Sequence, residues 1–257
     1  MEKILVTGAD GQLGKSIQEL SASYSKLKFV FKNPKQLDIT DSESVNFIFK
    51  KEDFSFCINC AAYTNVEQAE KTPEIAYKIN AEAVKNLALA CKSNNVFLIH
   101  ISTDYVFDGE KETPYTIQDK PNPINEYGKS KLLGEQYIQN NTNQYLIVRT
   151  SWLYSKYGNN FYKTILKKAK TEKTIRVTDQ QKGCPTDAKN LAQFVIEKIQ
   201  SGKKENGIEH FTDGVAMTWY DFAKKILDKE HLEEEVEIIK DSNYRTFARR
   251  PRNSVLK

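Results

Sequence analysis

The chain has 257 residues, 39% of them hydrophobic and 28% charged, with 11 glycines and 7 prolines, which fits one large α/β domain or a domain plus a small lobe. This composition excludes collagen, low-complexity disorder and disulfide-rich miniproteins, and no apolar run approaches the roughly 20 residues that a membrane span needs. The 38 basic residues against 34 acidic ones leave a net charge of +4 spread along the chain, so neither nucleic acid nor membrane is expected as a partner.

The first element, "KILVTG", is an apolar, β-branched run that stops at Gly8. In the "DGQLGKSIQEL" that follows, Leu13, Ile17 and Leu20 recur at helical spacing. A short strand "KFVFK" leads to "LDITDSESVNFIFKK", where Asp41 or Ser42 is placed to cap a helix with Val45, Ile48 and Phe49 on its apolar stripe. "FSFCINCAAY" reads as a buried strand, "PEIAYKINAEAVKNLALACKSNN" as one long helix, and "VFLIHISTDYVF" as a strand running into a loop. A helix near 125–140 and the strand "YLIVRTSW" complete the pattern. Repeated strand–helix units predict a doubly wound, Rossmann-like parallel sheet, because right-handed crossovers place helices on both faces.

After Trp152 the periodicity changes, through the helical "NNFYKTILKKAK", the strand and loop "TIRVTDQQKGCPT" and the amphipathic helix "DAKNLAQFVIEKIQ". The expected division is a dinucleotide-binding domain of 1–151 plus about 187–213, with a small, discontinuous substrate lobe of about 152–186 plus 214–257. Four cysteines and an N-terminus that enters a strand at once, without a signal-peptide pattern, predict a reducing cytoplasm.

"GADGQLG" sets Gly8, Gly11 and Gly14 between the first strand and the first helix. Glycines there allow a tight turn and let the backbone approach a pyrophosphate at the positive end of the helix. A glycine turn that only joins two elements is the plain alternative, but its place at the first strand of an alternating fold favours dinucleotide binding. The second strand ends in "FKNPK", with Lys32 and Lys35 where an NAD-preferring fold carries a carboxylate, so NADPH is the expected cofactor and NADH the alternative. Both lysines also read as ordinary solvated charges. Asp38 is a candidate for the adenine amino group, or else a helix-entry residue.

Tyr127 and Lys131, in "YGKSK", lie four apart and therefore on one helix face. A tyrosine phenol with a pKa of about 10 is a sluggish donor at neutral pH, and a neighbouring ammonium lowers that value. Such a pair is common on surface helices. Here Thr103 sits beyond the end of the predicted fourth strand, at the carboxyl-end crevice, and the Tyr–Lys helix follows next in the chain. A hydroxyl, a phenol and an ammonium converging over a nicotinamide make a carbonyl reductase site.

With "NCAAYTNVEQAE", "ISTDYVFDG", "NEYGKSKLLGE", "RTSWLYSKYGNNF" and "DQQKGCPTDAKNLA", the chain resembles the dTDP-4-dehydrorhamnose reductase family of extended short-chain dehydrogenases/reductases, in order from Met1 to "RRPRNSVLK". The resemblance implies reduction of the 4-keto group of dTDP-4-dehydro-β-L-rhamnose to dTDP-β-L-rhamnose, the last step of a sugar-nucleotide route to cell-surface polysaccharide. It makes Tyr127, Lys131 and Thr103 the catalytic residues. It assigns Gly11, Gln12 and Leu13, Asp38 and Ile39, and Ala62, Tyr63 and Thr64, together with Tyr127 and Lys131, to the cofactor, and Asp104 and Trp152, with Thr103, to the sugar nucleotide. Asn80 matches a helix asparagine that supports the site, or is a buried amide satisfying backbone groups. Hydride reaches C4 from the nicotinamide, Tyr127 delivers a proton to O4, Lys131 stabilises the phenolate and Thr103 bonds the developing alkoxide. The resemblance leaves a divalent ion such as Mg and a homodimer open. Family members continue through another helix beyond "RRPRNSVLK", so an incomplete C-terminal wall of the substrate site is expected.

Cys57 and Cys60 form a CxxC inside a predicted strand, where residues three apart face opposite ways, so neither redox nor zinc chemistry is expected of them. His100, His210 and His231 lack partners at zinc spacing and read as structural or surface residues. Lysines 167, 168, 170 and 173 and the run "HLEEEVE" read as solvated, and "RRPR" as a surface cluster or part of the sugar site. The rival functions are another nucleotide-sugar reductase, a dehydratase or an epimerase of the same family, or a non-catalytic NADP-binding regulatory subunit like the methionine adenosyltransferase β subunit. Dehydratases carry an acidic pair after the threonine, whereas here Thr103, Asp104 and Tyr105 follow one another.

Overall fold

The strands of the central sheet are apolar on both sides because both faces are covered by helices. In the computed structural model, which describes residues 1–257, the first half runs β1 (Glu2–Thr7), α1 (Gln12–Ser21), β2 (Leu27–Lys32), α2 (Ser42–Lys51), β3 (Phe56–Asn59), α3 (Val66–Lys71), α4 (Pro73–Tyr77), a π-helical turn (Lys78–Glu82), α5 (Ala83–Ser93), β4 (Phe97–Thr103), α6 (Glu126–Asn141) and β5 (Tyr145–Thr150). The second half runs β6 (Leu153–Tyr154), α7 (Phe161–Ala169), β7 (Thr174–Val177), β8 (Lys182–Gly183), β9 (Thr186–Asp187), α8 (Ala188–Gln200), β10 (Gly207–His210), β11 (Met217–Thr218), α9 (Trp219–Lys229) and β12 (Glu237–Lys240).

Six parallel strands pair in the order β10-β5-β4-β3-β1-β2. The doubly wound sheet expected from the alternation is therefore present. Leu5, Cys57, Leu98 and Ile147 face α2, α5 and α6 in one core, while Ile4, Val6, Ile58, Ile99 and Val148 face α1 and α8 in the other. That division follows the period of two along each strand. The chain leaves β1 for β2 on one side and returns to β3 on the other, which puts a switch point between β1 and β3 and opens a crevice at their carboxyl ends.

Residues 188–210 return to this sheet, α8 packing beside α1 and β10 extending the edge along β5. A separate core joins α7, α9, β7 and β12 through Ile165, Ile175, Phe222, Ile226 and Ile238. The C-terminal segment lies back on the main sheet's side, Leu256 packing with Phe107 and Tyr115.

Three sequence expectations need correction. The strand in "FSFCINCAAY" ends at Asn59, because the Asn59 side chain takes the Ala61 N–H at 3.1 Å and turns the chain away, so Cys60 lies outside the strand. Thr103 is the last residue of β4 rather than a loop residue beyond it, and its hydroxyl accepts from the Tyr105 N–H to start the next turn. The expected long helix is interrupted at the π-helical turn, where an extra residue per turn brings Asn80 inward.

Candidate active site

Two clefts share a border at the switch point. The first, about 520 Å³, is walled by Gly8, Gly11, Asp38, Ile39, Ala62 and their neighbours. The second, about 570 Å³, is reached across Gly11, Cys60 and Ala62 and contains Gln12, Leu13, Thr64, Thr103, Asp104, Tyr127, Lys131 and Trp152.

The turn between β1 and α1 is packed so closely that side chains have no room. Gly8 has φ +64°, and a Cβ there would sit 2.5 Å from the Ala61 nitrogen. A Cβ on Gly14 would sit 2.5 Å from the Gly8 carbonyl oxygen. Gly11 occupies the N-cap of α1 without a side-chain cap, and the first turn carries no acidic residue. The free N–H groups and positive end of α1 thus face the cleft, an arrangement that fits a pyrophosphate. Gly14 belongs to the packing beneath the turn and does not reach the cleft surface.

Tyr63 is held through its backbone: Asn80 Oδ1 accepts its N–H at 2.8 Å and Asn80 Nδ2 donates to its carbonyl at 3.0 Å. Asn80 also donates to Ser130 Oγ at 3.0 Å, tying the segment between β3 and α3 to α6. The two readings of Asn80 are thus one, since satisfying that backbone is how it shapes the wall. Asp38 is exposed and accepts from the Thr40 N–H at 2.9 Å, leaving its second carboxylate oxygen toward the first cleft. Lys32 and Lys35 flank the Pro34 that lines this cleft without lining it themselves.

Asn125 caps α6, accepting the Gly128 N–H at 2.7 Å, and so fixes where Tyr127 and Lys131 enter the second cleft. Burial pushes the Tyr127 phenol up to about 12, against a hydrogen bond with Thr103 that lowers it, while the nearby Asp104 raises it further. The Lys131 side chain is enclosed, and Nζ donates to the Ile101 carbonyl at 2.7 Å. Burial brings this amine down to about 8, with Glu135 and Cys60 acting in the opposite direction. Glu135 is itself paired through both oxygens with Arg149, at 3.0 and 2.6 Å, so its charge is largely spoken for. Asp104 is almost fully enclosed and is raised to about 7 by burial, despite hydrogen bonds with Ser254 and Thr103 that lower it. One of its oxygens, Oδ2, has no partner.

Trp152 is a non-glycine residue at φ +48°, a costly backbone state that marks functional sites when the surroundings enforce it. Its indole stacks on Trp219 with centroids 3.4 Å apart and planes 4° from parallel. A Cβ on Gly183 would meet that indole at 2.5 Å, so Gly183 is what leaves room for the ring. Gln12 Oε1 accepts from Asn160 Nδ2 at 2.8 Å and from Ser155 Oγ at 3.0 Å, joining the glycine turn to the loop before α7.

Sequence reasoning missed Trp219, Tyr105 and the Asn59–His100 pair. Tyr105 lies edge-on to Tyr127 with ring centroids 5.8 Å apart, and its place beside Asp104 was a usable signal. His100 is fully buried against Lys131, which makes it structural, as expected of a histidine without zinc partners, but also a direct neighbour of the site. Lysines 167, 168, 170 and 173 are exposed. In "RRPR", Arg250 pairs with Glu67 at 2.8 Å and the Arg249 carbonyl accepts from Asn125 Nδ2 at 2.8 Å, so this segment braces the start of α6 from outside the cleft.

The whole chain, residues 1–257, matches the family described as RmlD substrate binding domain. It is 39% identical to a dTDP-4-dehydrorhamnose reductase of Aggregatibacter actinomycetemcomitans, over 100% of this chain and 90% of the relative. It is 38% identical to a spore coat polysaccharide biosynthesis protein of Bacillus subtilis, over 100% of this chain and 89% of that one. A crystal structure of dTDP-4-dehydrorhamnose reductase from Bacillus anthracis in complex with NADP superposes with a TM-score of 0.95 at 38% identity, covering 100% of this chain and 90% of that one.

Proposed function

The chain belongs to the RmlD substrate binding domain family, and we propose from that premise that it reduces the 4-keto group of dTDP-4-dehydro-β-L-rhamnose to give dTDP-β-L-rhamnose. The observation that carries this reading is the convergence of Thr103, Tyr127 and Lys131 on one cleft that continues into the glycine turn at the switch point. The bare N-terminus of α1 would hold the pyrophosphate, with Asp38 and Ile39 at the adenine end and Ala62 to Thr64 along the wall between. NADPH is the cofactor we assign, on the basic "FKNPK" beside the first cleft and on the NADP complex of the Bacillus anthracis relative. Residues 152–186 and 214–257 form the substrate lobe in this reading, with the last residues folded back onto the dinucleotide-binding half.

When bound, the nicotinamide supplies the hydride. Tyr127 holds its proton at neutral pH and delivers it to O4. Lys131, still mostly cationic at pH 7, stabilises the phenolate left behind. Thr103 holds the phenol and the carbonyl oxygen in line, and the Trp152–Trp219 wall excludes water from the far side. Asp104, which lines the same cleft, is assigned to the sugar nucleotide.

The test is to mix the protein with dTDP-4-keto-6-deoxyglucose, a 3,5-epimerase and NADPH. Formation of dTDP-rhamnose with matching NADPH oxidation is expected. A new sugar product beyond what the 3,5-epimerase makes alone, without net cofactor oxidation, would place the chain with the epimerases, and no change beyond the 3,5-epimerase's own product would favour a binding subunit.

A further inference from the structure

One polar row crosses the sheet beneath the site. Thr7 on β1, Asn59 on β3 and His100 on β4 are partners in the strand register, and the period of two puts them on the same face as Leu5, Cys57 and Leu98. All three are buried to within 1% of full enclosure. Polar groups so placed must find partners within the protein, and their bonds can be followed one by one.

The Ala61 backbone N–H donates to Asn59 Oδ1 at 3.1 Å, and the Thr7 hydroxyl donates to the same oxygen at 2.6 Å. A backbone N–H can only donate, so it fixes which end of the Asn59 amide is oxygen. The Nδ2 end then faces His100 Nδ1 at 3.0 Å and donates to it. That assigns the imidazole proton to Nε2, which stands 3.3 Å from Lys131 Nζ. We propose that Asn59 and His100 are positioning residues for the reductase reaction, holding an imidazole N–H against the catalytic lysine.

An N–H donor aimed at the nitrogen opposes an ammonium and favours an amine whose lone pair accepts. The titratable groups acting on Nζ are His100 from β4, Glu135 from α6 and Cys60 from the segment after β3. Glu135 is neutralised by Arg149, and the Cys60 thiol is pushed up by burial and stays neutral. His100 itself is held neutral by burial and by the lysine charge, well below the usual histidine range. The dipole of the imidazole is therefore the adjustable influence on Lys131. The Asn59 amide stands between His100 and the Thr7 hydroxyl and does not relay protons, so the row tunes the lysine rather than refilling it.

This inference rests on the reductase reading for its kinetic consequence but not for its chemistry, and the two are tested separately. With three histidines in the chain, ¹⁵N-histidine NMR of the intact protein reads the tautomer directly. A protonated Nε2 and bare Nδ1 on His100 between pH 6 and 9 are expected, and a protonated Nδ1 or an imidazolium in that range overturns the proposal whether or not the protein reduces any sugar. For the rate, activity requires cationic Lys131 and falls as pH rises through its pKa. Replacing the ring by one without the N–H, His100→Phe, moves this alkaline limb of kcat/KM up by about one pH unit, with the plateau kcat changed less than about threefold. A limb that stays in place with a folded variant overturns it as well. Should His100→Phe not fold, His100→Leu, which also lacks the N–H, serves the same comparison, and the NMR result on the unaltered chain decides regardless.

Discussion

Tyr127 and Asp104 are both protonated more easily than their chemical types suggest, for the same reason: burial without enough partners. For Tyr127 this keeps a proton available, and Tyr127→Phe is expected to abolish turnover while NADPH affinity, read by calorimetry, stays nearly unchanged. Thr103→Val removes one donor to the developing charge and should lower kcat by roughly 10²–10³, about 2.7–4 kcal/mol. For Asp104 the consequence is for stability. Its folded pKa, about 7, lies above the unfolded value of about 3.9, so its contribution is whole below pH 4 and is lost as pH rises through 7. Asp104→Asn, which does not ionise, should therefore raise Tm relative to the parent at pH 8 and far less at pH 4, and an equal difference at both values counts against a buried, ionising carboxylate. The Tyr–Lys pair and the glycine turn were legible in the sequence because each is a local spacing on one element. His100 was not, since its meaning depends on Asn59 and Lys131, which lie 41 and 31 residues away.

Among the elements, α6 shows how a helix is brought close enough to place a catalytic pair. A Cβ at Gly128 would lie 2.1 Å from the Tyr105 carbonyl oxygen, and one at Gly134 equally close to that of Asn80. Alanine would gain about 1 kcal/mol in helix propensity at either position, yet overpacking against backbone costs typically 1–3 kcal/mol. Gly134→Ala is therefore expected to lower Tm by a few degrees, measured by calorimetry, because α6 must move off the π-helical turn. A Tm that rises would mean that the helix has slack there. Glycines inside a helix were visible in "YGKSKLLGE", but the partner they admit was not. The π-helical turn was equally hidden, because Ala76, Ile79 and Ala83 keep a helical spacing on either side of it. The existence of β1 to β5 and β7 was readable from apolar runs, whereas β10, β12 and the two-residue strands of the second half were not. Strand ends were not, since β3 is stopped by the Asn59 side chain rather than by a glycine or proline.

For the molecule as a whole, long-range polar ties decide how the C-terminal segment is held against the first half of the chain. Glu67 on α3 accepts from the Phe247 and Ala248 N–H groups at 2.9 and 3.1 Å and pairs with Arg250, gathering a distant segment against the sheet. Glu67→Ala should speed hydrogen exchange in residues 244–250 while leaving the strands of the sheet protected, and uniform loss of protection would instead indicate global destabilisation. No helix of the structure is long and apolar enough to cross a membrane, in line with the composition. The discontinuous second core was foreshadowed by the change of pattern after Trp152, whereas the return of the C-terminal residues to Tyr115 had no local sign. The paired indoles have an optical consequence. Trp152 and Trp219 are the chain's two tryptophans and both line the same cleft, so all indole emission originates at the wall where the sugar nucleotide is placed. The protein therefore carries its own fluorescent reporter, and its near-ultraviolet dichroism, dominated by one coupled chromophore pair, registers any ligand that parts the rings.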